Sequence, residues 1–162
     1  MKQQFSHDSV SRYIEASPQV LYDLVSDVTN TPKLSKDIVS CTWLDGATGP
    51  AVGARFKAIN DGRGKPNWSN KPIVTVAEPE REFVFARTEP FAGTVQWRYV
   101  FTPEGEGTVV TESYAVVRPL TLVGWFVIGV LYGRKDRQGE LRASMKETLE
   151  RIAETVGSQQ PA

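Results

Sequence analysis

The chain has 162 residues, 19 of them basic and 19 acidic, so its formal net charge is zero. Its basic residues form no strong cluster, which argues against a general nucleic-acid surface. The length is that of one ordinary domain, large enough to bury a core and to enclose a cavity. A single cysteine, Cys41, excludes an intrachain disulfide and fits a reducing compartment. The first ten residues, MKQQFSHDSV, lack an apolar signal region, so the expectation is a soluble, cytoplasmic protein.

In chain order, residues 10–16 alternate Val10, Arg12 and Ile14 against Ser11, Tyr13 and Glu15, the period of a first strand. Ser17-Pro18 reads as a capping serine followed by proline at the first helical position. Val20, Leu21, Leu24, Val25 and Val28 then supply the apolar stripe of a short helix from residue 18 to about residue 27. Thr31-Pro32 opens another helical turn that runs to about Lys36. Val39, Cys41 and Trp43 share one face of a strand ending at the Asp45-Gly46 turn.

The next strand, ARFKAIN, places Phe56, Ala58 and Asn60 on one face. Asp61-Gly62-Arg63-Gly64 is a turn signal, and a strand over residues 68–77 returns as the other arm of a hairpin. Pro72 within it is tolerable only at an edge or a bulge. REFVFART carries Phe83 and Phe85 on one face, and residues 94–101 carry Val95, Trp97, Tyr99 and Phe101. After a turn over residues 103–107, residues 108–117 form the last strand. Consecutive strands joined by short turns predict an antiparallel meander.

A long apolar run begins at Leu120 and ends at Tyr132. It is well short of the roughly 20 residues that span a bilayer. It either packs over the mouth of the fold, with Gly124, Gly129 and Gly133 permitting bends, or forms an exposed apolar lip. In the second case Trp125 and Phe126 would touch a membrane or partner.

The last element is a helix over residues 134–156. Leu141, Met145, Leu149, Ile152 and Val156 mark one face, and charged residues dominate the other. Gly157 stands where a left-handed cap is expected, and residues 158–162 read as a disordered tail. One amphipathic helix must bury its stripe against the sheet that precedes it. The expectation is an α+β domain over residues 1–157, a curved antiparallel sheet wrapped around a long C-terminal helix.

The order of these elements, a strand, two short helices, about six strands and a long helix, is that of the helix-grip (START/Bet v 1-like) fold. At residue level the chain resembles the polyketide cyclase/dehydrase branch of the START-like (SRPBCC) superfamily. The matching pieces are ASPQVLYDLVSDVTNTP, GARFKAIN, the run from Trp97 to Phe101, GTVVTES and MKETLERI. The resemblance implies a deep, mostly apolar cavity between sheet and helix that holds a lipid-like or polyketide-like ligand. It leaves open whether the chain is a binder, a polyketide cyclase, dehydratase or aromatase, or a membrane-contacting lipid carrier.

If the cavity is present, strand alternation assigns Trp43, Phe56, Asn60, Trp68, Phe83, Phe85, Trp97, Tyr99, Glu112 and Tyr114 to its wall, with Met145 facing them from the helix. Glu112 is the most informative of these. It shares a strand face with Val110 and Tyr114, and a buried carboxylate needs a partner or a raised pKa. It could serve as a general acid/base or a ligand anchor, with Tyr99 and Tyr114 as further catalytic candidates. Alternatively it is a structural carboxylate bonded to Asn60, Arg98 or Arg55, or it faces water. Arg98, on the opposite face from Trp97 and Tyr99, is expected to be solvated or paired. Cys41 reads as a buried small hydrophobe. His7 is the only histidine and lies near the N-terminus, which speaks against a His-based triad or a histidine-rich metal site. No cofactor or metal is expected. The GRGK segment at residues 62–65 lacks the spacing and context of a phosphate loop and reads as a basic hairpin tip.

Overall fold

The computed structural model describes residues 7–89, 93–118 and 137–159. The apolar run from Leu120 to Tyr132, including Trp125 and Phe126, the expected start of the last helix at Arg134, and the end of the tail all lie outside the described residues.

Among the described residues, eight strands form two antiparallel sheets. The larger has the order β1 (His7–Ile14), β8 (Gly107–Arg118), β7 (Gly93–Glu104), β6 (Glu82–Glu89), β5 (Ile73–Glu78). The smaller is β2 (Ile38–Trp43), β3 (Phe56–Asn60), β4 (Trp68–Asn70). His7 therefore belongs to a paired strand, opposite Ala115.

The expected single strand over residues 68–77 is two strands, one in each sheet. Pro72 has no amide hydrogen to donate, so the ladder breaks at Lys71-Pro72 and the chain changes sheets there. The seam is nevertheless bonded. Phe56 N donates to Pro72 O at 3.2 Å, Gly53 N to Val74 O at 2.8 Å and Val74 N to Ala54 O at 2.8 Å. The two sheets thus act as one curved wall.

Between β1 and β2 the chain forms α1 (Pro18–Ser26), a 3-10 turn (Val28–Asn30) and α2 (Thr31–Leu34). Ser17 caps α1 as its sequence predicts: its backbone is extended and its Oγ accepts from Val20 N at 3.2 Å. The buried face of α1 is Leu21, Tyr22 and Val25, whereas Val20 is exposed. Tyr22 replaces it by setting its ring edge-on to Phe101, with centroids 5.9 Å apart.

The last helix, α3 (Arg137–Gln159), packs on β1, β8, α1 and α2. It continues past Gly157, so that glycine is not its cap. The stripe faces inward as expected. Leu149, Ile152 and Val156 join the main core, while Leu141 and Met145 form a second cluster with Tyr114. Leu149 and Ile152 are 1% and 0% exposed. At about 1.5–3 kcal/mol for each fully buried aliphatic side chain, this stripe is what holds the helix on the sheet.

Candidate functional site

A cavity of about 120 Å³ lies between the curved wall, the short helices and α3. Its sheet side is set by alternation. On β6, Phe83, Phe85 and Arg87 all line it, and on β7 Trp97 and Tyr99 do. Register aligns these residues across strands: Phe83 pairs with Tyr99 and Tyr99 with Glu112, while Phe85 pairs with Trp97 and Trp97 with Tyr114. β3 adds Phe56, Ala58 and Asn60 from its one inward face. Phe56 sets its ring edge-on to Phe85, with centroids 5.3 Å apart, so the two sheets meet in an aromatic corner.

Of the residues singled out from the sequence, Phe56, Asn60, Phe83, Phe85, Trp97, Tyr99 and Glu112 line the cavity. Trp43, Trp68, Tyr114 and Met145 stand outside its wall. Trp43 is edge-on behind Phe56 at 5.8 Å, and Tyr114 is buried with Met145, Leu141 and Trp97. Trp68 sits on the short strand β4, opposite Asn60.

The structure also brings in residues the sequence did not single out. Arg87 continues the Phe83–Phe85 alternation and was legible from it. Asp37, Ser144 and Thr148 come from the α2–β2 connection and from α3. The Ser144 hydroxyl donates to Asp37 Oδ2, and the Arg63 guanidinium donates to Asp37 Oδ1. One carboxylate therefore ties the β3–β4 hairpin tip to the helix beside the cavity. Burial opposes ionisation of Asp37, but the bonds from Ser144 and Arg63 and the charges of Arg63 and Lys36 outweigh it and hold the carboxyl below its ordinary value.

Glu112 differs from Asp37 in its surroundings. It is 4% exposed, and its partner is none of the three expected residues. Instead, the Tyr99 hydroxyl donates to Oε1 at 2.9 Å. Oε2 is buried and has no hydrogen-bond partner among the described residues. Burial pushes the carboxyl pKa up to about 8, only partly offset by the Tyr99 bond. The Tyr99 phenol is raised well above its ordinary value, by burial first and by the neighbouring carboxyl second. Burial thus favours the neutral carboxylic acid beside the neutral phenol.

Arg98 points away from the cavity and bonds Glu82 at 3.0 Å, as its place in the alternation predicts. Cys41 is only half-buried. It lines the cavity, and burial pushes its thiol up to about 11, so it is no ready nucleophile. Among the described residues, no group of three or more His, Cys, Asp or Glu side chains is placed to hold a metal ion. No described helix is long and apolar enough to cross a membrane.

Residues 7–157 match the family described as "Polyketide cyclase / dehydrase and lipid transport". The chain belongs to this family. No curated protein matches it. Among solved structures it is similar to the di-domain ARO/CYC StfQ from the steffimycin biosynthetic pathway, with a TM-score of 0.76 at 12% identity. That match covers 95% of this chain and 51% of StfQ, so the chain spans about half of that protein's length. A protein from Thermus thermophilus matches with a TM-score of 0.70 at 23% identity, over 96% of this chain and 99% of the other. A START superfamily protein from Mycobacterium smegmatis matches with a TM-score of 0.67 at 17% identity, over 93% and 98%. At these identities the likeness shows the fold alone. This family member has the helix-grip fold, a curved antiparallel sheet against a long C-terminal helix.

Proposed function

We propose that the chain binds a small hydrophobic or amphipathic molecule in the cavity between sheet and helix. The observation that carries this reading is the cavity itself. Phe56, Phe83, Phe85 and Trp97 supply apolar walls, and polar side chains, among them Glu112, Asn60, Asp37 and Arg87, interrupt them. Its size constrains the occupant. About 120 Å³ is near the roughly 150 Å³ of an apolar protein cavity that takes up benzene. It is well below the roughly 300–1,000 Å³ of drug-sized pockets. A one- or two-ring molecule suits this conformation better than a long acyl chain.

A second reading, a cyclase or dehydratase acting on a polyketide-like substrate, draws support from the Glu112–Tyr99 pair. A neutral carboxylic acid in an apolar site is equipped to donate a proton to a developing alkoxide or enolate. StfQ is an ARO/CYC by its description, and it lends this reading the analogy of a shared fold only.

The test is calorimetric titration with indane, a two-ring hydrocarbon, for the wild type and for Ala58→Phe. Ala58 is 5% exposed and lines the cavity, so the larger side chain fills the space. Binding by the wild type that is lost in a folded Ala58→Phe protein supports the reading. Equal binding by both places the probe elsewhere and refutes it.

A further inference from the structure

Glu112 lines the mostly apolar cavity, with one carboxyl oxygen accepting from Tyr99 and the other buried with no partner among the described residues. A buried acceptor-only carboxylate with no counter-charge is the least stable way to arrange these atoms. A carboxylic acid is the better one. Oε1 keeps the Tyr99 bond, and Oε2 carries the proton and offers it as a donor. The donor then lacks an acceptor, which no described protein group supplies.

From this we infer that the ligand carries a carbonyl or similar lone acceptor oxygen, held by a hydrogen bond from the Glu112 carboxyl while its rings pack on Phe83, Phe85 and Trp97. This rests on the cavity-binding reading and adds the ligand's functional group to it. An ammonium ligand, which can only donate, would need the ionised form of Glu112. A carboxylate ligand would bring a charge of its own into a mostly apolar cavity.

Other titratable groups near Glu112 do not share its window. Tyr99 on β7 is raised well above its ordinary value, and Cys41 on β2 is pushed up to about 11. Asp37, ahead of β2, is held below its ordinary value, and Arg87 on β6 also lines the cavity. From α3 the cavity-lining residues include Leu141, Ser144 and Thr148, and across β1 the residue opposite Glu112 is Val10. Affinity for a carbonyl is therefore expected to fall as the solution passes the Glu112 pKa from below, because the ionised acid has no proton to donate.

The experiment compares indane with 1-indanone, the same ring system plus one carbonyl, by calorimetry at about pH 6 and about pH 9.5. It uses the wild type, Glu112→Gln and Glu112→Leu. The expected result is a wild-type preference for 1-indanone of about fivefold at the lower pH, the worth of one buried neutral hydrogen bond, shrinking at the higher pH. Glu112→Gln, whose amide imitates the protonated acid, should keep the preference at both pH values, and Glu112→Leu should lose it. If Glu112→Leu does not fold, the flat pH response of Glu112→Gln against the wild-type response decides alone. Equal affinity for indane and 1-indanone in the wild type overturns this inference and leaves the cavity reading standing. Binding of neither compound overturns both.

Discussion

Tyr99 and Glu112 face each other across β7 and β8, and the phenol donates to the carboxyl over 2.9 Å. The contact has no counter-charge in it, so it stabilises a neutral acid instead of an ion pair. It makes Glu112 the group whose protonation couples folding to pH in the neutral range.

The sign of that coupling follows from the direction of the shift. The folded pKa of Glu112 is about 8, above its ordinary value of 4.5. The stabilisation is therefore fully present below 4.5 and is lost as pH rises through about 8. Urea denaturation across this range should show the wild type losing stability on the order of a few kcal/mol. Glu112→Gln should remove most of the slope. A wild-type curve as flat as the variant's would show that Glu112 is ionised throughout.

Asp37 behaves oppositely. Its folded pKa is lowered, so its contribution is present above its ordinary value of 3.8 and fades as pH falls through the folded value. Asp37 is partly exposed, which screens the charge. Asp37→Ala is expected to cost about 1–2 kcal/mol, and a double-mutant cycle with Ser144→Ala should return about 1 kcal/mol of coupling. Additive effects would mean that the hairpin-to-helix tie carries no energy.

Leu149 on α3 is 1% exposed in the main core and does not line the cavity. Leu149→Ala is expected to cost about 2–5 kcal/mol, through lost burial and the space left behind. Thermal or chemical denaturation measures it directly. A loss below about 1 kcal/mol would contradict the placement of this helix face in the core.

Much of the fold was legible because its devices are local. The Ser17-Pro18 helix start, the four- and three-residue spacing of α3 and the alternation of β6 and β7 each state their element within a few residues. Local signals also mislead where tertiary structure intervenes. Gly157 resembles a helix end, yet the chain stays helical through it. The span 68–77 has a strand's composition throughout, and Pro72 divides it between two sheets.

The site was half legible for the same reason. Alternation says which face of a strand is inward, and the residues it assigns to that face, Phe83, Phe85, Trp97, Tyr99 and Glu112, line the cavity. It does not say which part of that face the helix covers. Tyr114 shares the face of Glu112 but lies under Leu141 and Met145. Asp37 and Ser144 meet across 107 residues of chain, a juxtaposition that no periodicity encodes.

The central claim, that this cavity holds a ligand, is tested most directly by an NMR titration of the isotope-labelled protein with 1-indanone. The account predicts that shift changes concentrate on the amides of Phe56, Ala58, Phe83 and Tyr99 and on the Glu112 side-chain carboxyl. Saturating changes confined to the outer surface, or no changes at the solubility limit of the probe, would contradict it.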